Sequence, residues 1–94
     1  MYVRVVRFTD VTAERMEQML NRIRDTGAPP PGVRTTGLKV IFDEGQGTAV
    51  VLQEYANAQD MEDAAKVFDA MDASDTPGSR TSVDGGELRL ELHA

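Results

Sequence analysis

Hydrophobic and polar positions alternate in distinct rhythms along the chain, and each change of rhythm marks an element. Tyr2 to Thr9 is rich in β-branched and aromatic residues and predicts a strand. Its alternation places Tyr2, Arg4, Val6 and Phe8 on one face and Val3, Val5, Arg7 and Thr9 on the other. A helical rhythm follows: Met16, Met19, Leu20 and Ile23 fall on one stripe, with Glu17, Gln18, Asn21, Arg22 and Arg24 elsewhere. Thr12 is placed to cap its start, with Glu14 in the first turn. Gly27 and the run Ala28-Pro29-Pro30-Pro31-Gly32 end it, because proline removes a backbone donor and clashes with a preceding turn.

Leu38–Asp43 and Thr48–Ala56 predict a hairpin across Glu44-Gly45-Gln46-Gly47. Their cores, Val40-Ile41-Phe42 and Ala49-Val50-Val51-Leu52, are continuous apolar runs, which implies that both sheet faces are covered. Asn57, with Asp60 three residues on, predicts a second helix start. Met61, Ala64, Ala65, Phe68 and Met71 form its apolar stripe. Asp75 to Ser79, with Pro77-Gly78, reads as a loop. The last strand is predicted where alternation is cleanest, with Leu88, Leu90 and Leu92 on one face and Glu87, Arg89 and Glu91 on the other. Asp84-Gly85-Gly86 before it reads as a bulge or tight turn.

The order βαββαβ is that of a ferredoxin-like α+β fold, an antiparallel four-stranded sheet with two helices on one face, in a single domain spanning 1–94. Two helices cover one face only. Apolar residues on the other make that face an association surface, and the expectation is a homodimer packed sheet against sheet.

Composition narrows the chemistry. With no cysteine, thiolate, iron–sulfur and zinc-thiolate chemistry is excluded, and the single histidine, His93, makes a histidine metal site improbable. No metal and no cofactor are expected. A net charge of −6 disfavours nucleic acid as a partner. Arginines break the apolar run of residues 1–8, so neither a signal peptide nor a membrane span is expected, and a cytoplasmic chain is.

Arg4, Arg7 and Tyr55 are the candidate ligand-binding residues. A partly buried arginine on the first strand needs an anion. Glu54, Glu87 and Glu91 lie within cross-strand reach, as an Arg–Glu ladder that sets register. The alternative is an arginine kept for a carboxylate or phenolate ligand, with Tyr55 as hydrogen-bonding or stacking surface. Asp69, Asp72 and Asp75 suggest a cation site, but without the glycine and glutamate of a calcium loop they read as a solvated acidic end, with Arg80 as a partner.

Four stretches carry a family resemblance: Met1-Tyr2-Val3-Arg4-Val5-Val6-Arg7-Phe8, Pro31-Gly32-Val33, Gly47-Thr48-Ala49-Val50-Val51, and Tyr55 with Asn57 leading into an acidic helix. Together they resemble small bacterial proteins of the dimeric α/β-barrel superfamily, and within it the antibiotic-biosynthesis-monooxygenase-like (ABM) group. The resemblance covers nearly the whole chain. It implies a homodimeric barrel with a pocket between sheet and helices in each subunit. Some relatives oxidise phenolic or polycyclic substrates with dioxygen and no metal, and others degrade haem. They use pocket tryptophan and asparagine, or histidine. This chain has no tryptophan, carries Tyr55 at the end of the third strand, offers arginine or valine on the first, and holds His93 in its tail. The first expectation is therefore a homodimer that binds a small aromatic or anionic molecule without assigned catalysis. A cofactor-independent monooxygenase of phenolic or polyketide-like substrates is the alternative, and a structural or regulatory interaction module the third.

Overall fold

The computed structural model describes residues 1–71 and 76–94. Its elements are β1 (Tyr2–Thr9), α1 (Ala13–Thr26), β2 (Gly37–Asp43), β3 (Thr48–Tyr55), α2 (Ala58–Asp69) and β4 (Ser79–Glu87). The four strands form one antiparallel sheet in the order β2-β3-β1-β4, the ferredoxin-like arrangement. The helix starts follow the capping chemistry of the sequence. Thr12 accepts a hydrogen bond from the Arg15 amide at 3.2 Å, and Asn57 one from the Asp60 amide at 2.8 Å. Gly27 ends α1 in the left-handed region at φ 66°, where only glycine sits without cost, and its N–H closes onto the Ile23 carbonyl.

The alternation of β1 and β3 sets which face each helix covers. Val6, Phe8, Ala49 and Val51 pack with Met16 and Met19 of α1 and with Val11 in one core cluster. Tyr55 packs with Ala64 of α2 and with Val33 in a second, which Tyr2, Met61, Val67 and Phe68 border. Both helices thus cover the face that carries the even-numbered residues of β1. The other face carries Val3, Val5, Val50 and Leu52, all half-buried, and Ile41, which is exposed. The continuous apolar runs have this origin: one half of each run packs under the helices, and the other half lies on a sheet face that no helix covers.

The final strand departs from the expectation. Strand β4 is Ser79–Glu87, so Asp84, Gly85 and Gly86 lie inside it and Leu88–Leu92 lie beyond it. The cause is the length of the neighbour. Strand β1 begins at Tyr2, which pairs with Glu87, and past that point only the Met1 carbonyl remains to accept from the Leu88 amide, at 2.8 Å. Pairing partners outweigh alternation. The glycine pair is tolerated because β4 passes beneath α2: a Cβ on Gly85 would stand 3.3 Å from the Met61 sulfur. A β-bulge opposite Arg7 and Phe8 leaves Thr81 unpaired in register, and its hydroxyl donates to the Arg7 carbonyl at 3.3 Å.

Among the described residues no helix is long and apolar enough to cross a membrane. Of the acidic series, Asp72 and Asp75 lie outside the described residues, while Asp69 accepts from Arg80 at 2.8 Å. No cluster of three or more histidine or carboxylate groups suited to a metal ion occurs among the described residues.

Gly78 joins the segment before β4 to the exit of β1. A Cβ there would collide with the Thr9 carbonyl oxygen and lie 2.9 Å from Val11 Cγ2. Gly78→Ala is expected to cost about 1–3 kcal/mol by overpacking, a fall of about 4–8 °C in Tm per kcal/mol for a domain this small. Gly86→Ala, with nothing within 4 Å of its Cβ, is expected to melt at or slightly above the wild-type temperature. Thermal unfolding of the two variants side by side checks this.

Candidate functional site

Antiparallel register sets Arg4 of β1 directly opposite Gln53 of β3 on one side and Gly85 of β4 on the other. All three positions belong to the helix-covered face, and Tyr55, two residues beyond Gln53, shares it. Arg4 is therefore drawn under α2 and is only 4% exposed. Its neighbour on β4, Gly85, leaves space that the Met61 side chain of α2 occupies.

The polar groups here form a chain. Arg4 Nη1 donates to Gln53 Oε1 at 3.0 Å, and the Tyr55 hydroxyl donates to the same oxygen at 3.0 Å. Because arginine can only donate, this fixes the Gln53 amide orientation. Among the described residues no hydrogen bond of the Gln53 Nε2 group is seen, which leaves it as a second donor beside Arg4. Arg4 Nη2 reaches Asp69 Oδ1 at 3.4 Å, a long contact to a carboxylate that is 56% exposed and is held more closely by Arg80. The Phe68 ring lies beneath the guanidinium carbon at 5.4 Å, within cation–π range. The charge of Arg4 is thus buried against one neutral oxygen, one aromatic face and one distant carboxylate.

Burial governs the ionisation of both ends of this chain. Desolvation lowers the Arg4 pKa from the ordinary arginine value, and the Asp69 and Tyr55 oxygens oppose that shift. Arg4 still carries its charge at neutral pH, as arginine does throughout proteins. Desolvation likewise raises the Tyr55 pKa above the ordinary phenol value, with the Arg4 cation acting in the opposite direction. The site therefore presents a cation and a neutral phenol.

These groups stand at the floor of a cavity of about 570 Å³ between sheet and helices. Its walls are largely apolar, with Val6, Phe8 and Val51 from the central strands, Leu38 and Val40 from β2 and Met19 from α1, and the lining also includes Arg22 and Arg80. The segment from Gly27 to Pro30 forms part of its rim, so the stiff proline connector borders the opening. A second recess, bounded by Arg15, Asp69 and Arg80, shares Phe68, Met71, Thr76 and Arg80 with the first. An apolar cavity of this size with a few convergent polar groups is the usual form of a small-molecule site.

Of the three residues singled out from the sequence, Arg4 and Tyr55 come together here and Arg7 does not. Arg7 stands on the opposite sheet face, in register with Val50 and Ser82, and is exposed. The expected Arg–Glu ladder is replaced by other pairs. Glu54 accepts from Lys39 at 3.2 Å, and Arg4 turns to Gln53 and Asp69. The sequence does not place Gln53, Phe68 or Asp69 beside Arg4; Phe68 reads there as helix core and Asp69 as part of an acidic end. Gln53 could have been found from the two-residue spacing to Tyr55, since it must share that face. Phe68 and Asp69 depend on where α2 crosses the sheet, which no local pattern encodes.

No known family's sequence pattern matches this chain, and no curated protein sequence does. By structure it is similar to the crystal structure of a "putative antibiotic biosynthesis monooxygenase" from Deinococcus radiodurans, with a TM-score of 0.61 at 16% identity, covering 100% of this chain and 98% of that one. At that identity the likeness establishes a shared fold, the ferredoxin-like βαββαβ arrangement.

Tyr55 offers a direct check of the site's electrostatics. Its folded pKa lies above the unfolded value, so the unfolded chain loses the proton first. The associated stability is intact below about pH 10 and is lost as pH rises through the folded pKa. In a Tyr2→Phe variant, where Tyr55 is the sole tyrosine, ultraviolet titration is expected to show a midpoint above about 10 that returns to about 10 in concentrated urea. A folded midpoint at or below that value would remove the desolvated phenol from the description.

Proposed function

We propose that this protein is a homodimer that binds a small aromatic molecule bearing one acidic oxygen, a carboxylate or phenolate, in the cavity between sheet and helices. The observation that carries this reading is the Arg4 guanidinium, buried in the lining of a largely apolar cavity, where among the described residues it meets the neutral Gln53 oxygen at 3.0 Å and one carboxylate, half-exposed Asp69, at 3.4 Å. Such a cation is worth most to a ligand that brings its own anion, because both partners are then desolvated together and pair strongly. Apolar walls accept the ring, Arg4 and the Gln53 amide nitrogen donate to the oxyanion, and Tyr55 holds Gln53 in place. The apolar residues on the uncovered sheet face, Val3, Val5, Ile41, Val50 and Leu52, support the homodimer part of the reading.

Calorimetry with 2-naphthoate and its neutral amide tests it. The carboxylate is expected to bind at least about 10-fold more tightly, as a charge-assisted hydrogen bond of about 1.5–3 kcal/mol requires. Gln53→Glu places a carboxylate permanently against Arg4, so it should keep the fold and abolish that preference. Equal affinity for the two probes, or an unchanged preference in Gln53→Glu, would contradict the assignment of Arg4.

A second reading is favoured by the fold shared with a protein named as a monooxygenase. A phenolate held by Arg4 would be an electron-rich substrate for dioxygen. One oxygen atom would enter the ring carbon and the other would leave as water, with all four electrons supplied by the substrate. Oxygen uptake with a panel of anthrols is expected above the blank under this reading, and at the blank rate if the protein only binds.

A further inference from the structure

We propose that the ligand carries two acidic groups on adjacent atoms of its aromatic body, that Arg80 receives the second of them beside Arg4, and that Asp69 is the group this second acid displaces. The inference deepens the reading of Arg4 as an anion site and rests on it.

Two arginines from neighbouring strands converge on one carboxylate oxygen. Arg4 Nη2 of β1 lies 3.4 Å from Asp69 Oδ1, and Arg80 Nη1 of β4 lies 2.8 Å from the same atom. Register sets Arg80 opposite Phe8, on the helix-covered face that also carries Arg4, and both arginines line the cavity. Desolvation is the main cause that lowers the Arg4 pKa, and the Arg80 cation adds to it, a sign of how near the two charges stand. One carboxylate does not neutralise two guanidiniums, and this one is 56% exposed, so water weakens its hold on both. The wider lining repeats the imbalance. The chain carries 16 acidic residues against 10 lysines and arginines. Yet Arg4, Arg22 and Arg80 line the cavity, and among the described residues no aspartate or glutamate does.

This excess of positive charge selects for both the number and the spacing of a ligand's acids. A single carboxylate set against Arg4 and the Gln53 amide leaves the Arg80–Asp69 pair as it is. A second carboxylate on the next ring atom stands beside the first as Arg80 stands beside Arg4, and each acid then has its own guanidinium. Asp69 is the group that yields. It is the last residue of α2 and half-exposed, so its carboxylate turns to water at small cost. Asp69 is thereby a specificity-determining residue: it stands in for the missing anion when the cavity is empty and repels a ligand whose own acid does not replace it. A second acid at the far end of the ring system does not reach the Arg80 nitrogen while the first holds Arg4.

Calorimetry at neutral pH with naphthalene-2,3-dicarboxylate, naphthalene-2,6-dicarboxylate and 2-naphthoate tests the inference on the unmodified protein. The 2,3-diacid is expected to bind at least about 10-fold more tightly than either of the others, the gain of one further charge-assisted hydrogen bond. Replacing Arg80 and Asp69 together, as Arg80→Gln/Asp69→Asn, removes the half-exposed ion pair without leaving either charge alone. That double variant should bind the 2,3-diacid and 2-naphthoate equally, and should keep the preference for 2-naphthoate over its neutral amide. Asp69→Asn alone should bind the 2,3-diacid more tightly than the wild type does. A 2,3-diacid that binds no better than 2-naphthoate, a 2,6-diacid that matches it, an advantage that survives in the double variant, or no gain in Asp69→Asn overturns the second acid site and leaves the reading of Arg4 standing. Equal affinity of the wild type for 2-naphthoate and its amide overturns both.

Discussion

The position of one charge organises this molecule. Arg4 lies on a central strand, at a place in the alternation that a hydrophobic residue would ordinarily fill, and the sheet pulls it beneath α2. Burying a guanidinium is unfavourable unless its hydrogens and charge are answered. The surroundings answer the hydrogens better than the charge. Gln53 supplies a neutral oxygen, Phe68 a ring face, and Asp69 a carboxylate at 3.4 Å that also serves Arg80. Around it stand a glutamine opposite on β3, a phenol kept neutral, and a cavity in place of packed side chains. The fold holds the cation in place beneath α2, beside the cavity.

Most of this fold was legible in the sequence. Capping residues at Thr12 and Asn57, the stop at Gly27 and the two-glycine hairpin each act over a few residues, so local pattern was enough to find them. The last strand was misplaced for an instructive reason. Leu88 to Leu92 has the better alternation, yet Ser79–Glu87 has the partner, and backbone pairing decides. At the site, the pairing of Arg4 with Tyr55's face was open to the sequence, because alternation and antiparallel order constrain both. Which face of β1 turned inward was not, so Arg7 stood beside Arg4 as an equal candidate until the helices were placed. Phe68 and Asp69 depend on a helix crossing, a tertiary quantity with no local signature.

Two apolar surfaces of this chain have no cover within it. The sheet face opposite the helices carries apolar residues that this chain does not cover, and the terminal segment carries three leucines that this chain does not bury. A single small domain has little stability to spare for exposing such surface.

The central claim is that the buried Arg4 guanidinium receives the anion of a ligand. Its most direct test is nuclear magnetic resonance of the arginine side chains, with the Arg4 signals identified by their loss in Arg4→Lys, during titration with 2-naphthoate. The account predicts that the Arg4 Cζ and Nη resonances shift in a saturable way while those of exposed Arg7 and Arg89 stay where they were. Saturable binding that leaves the Arg4 resonances unmoved would contradict it, and so would no binding at millimolar ligand.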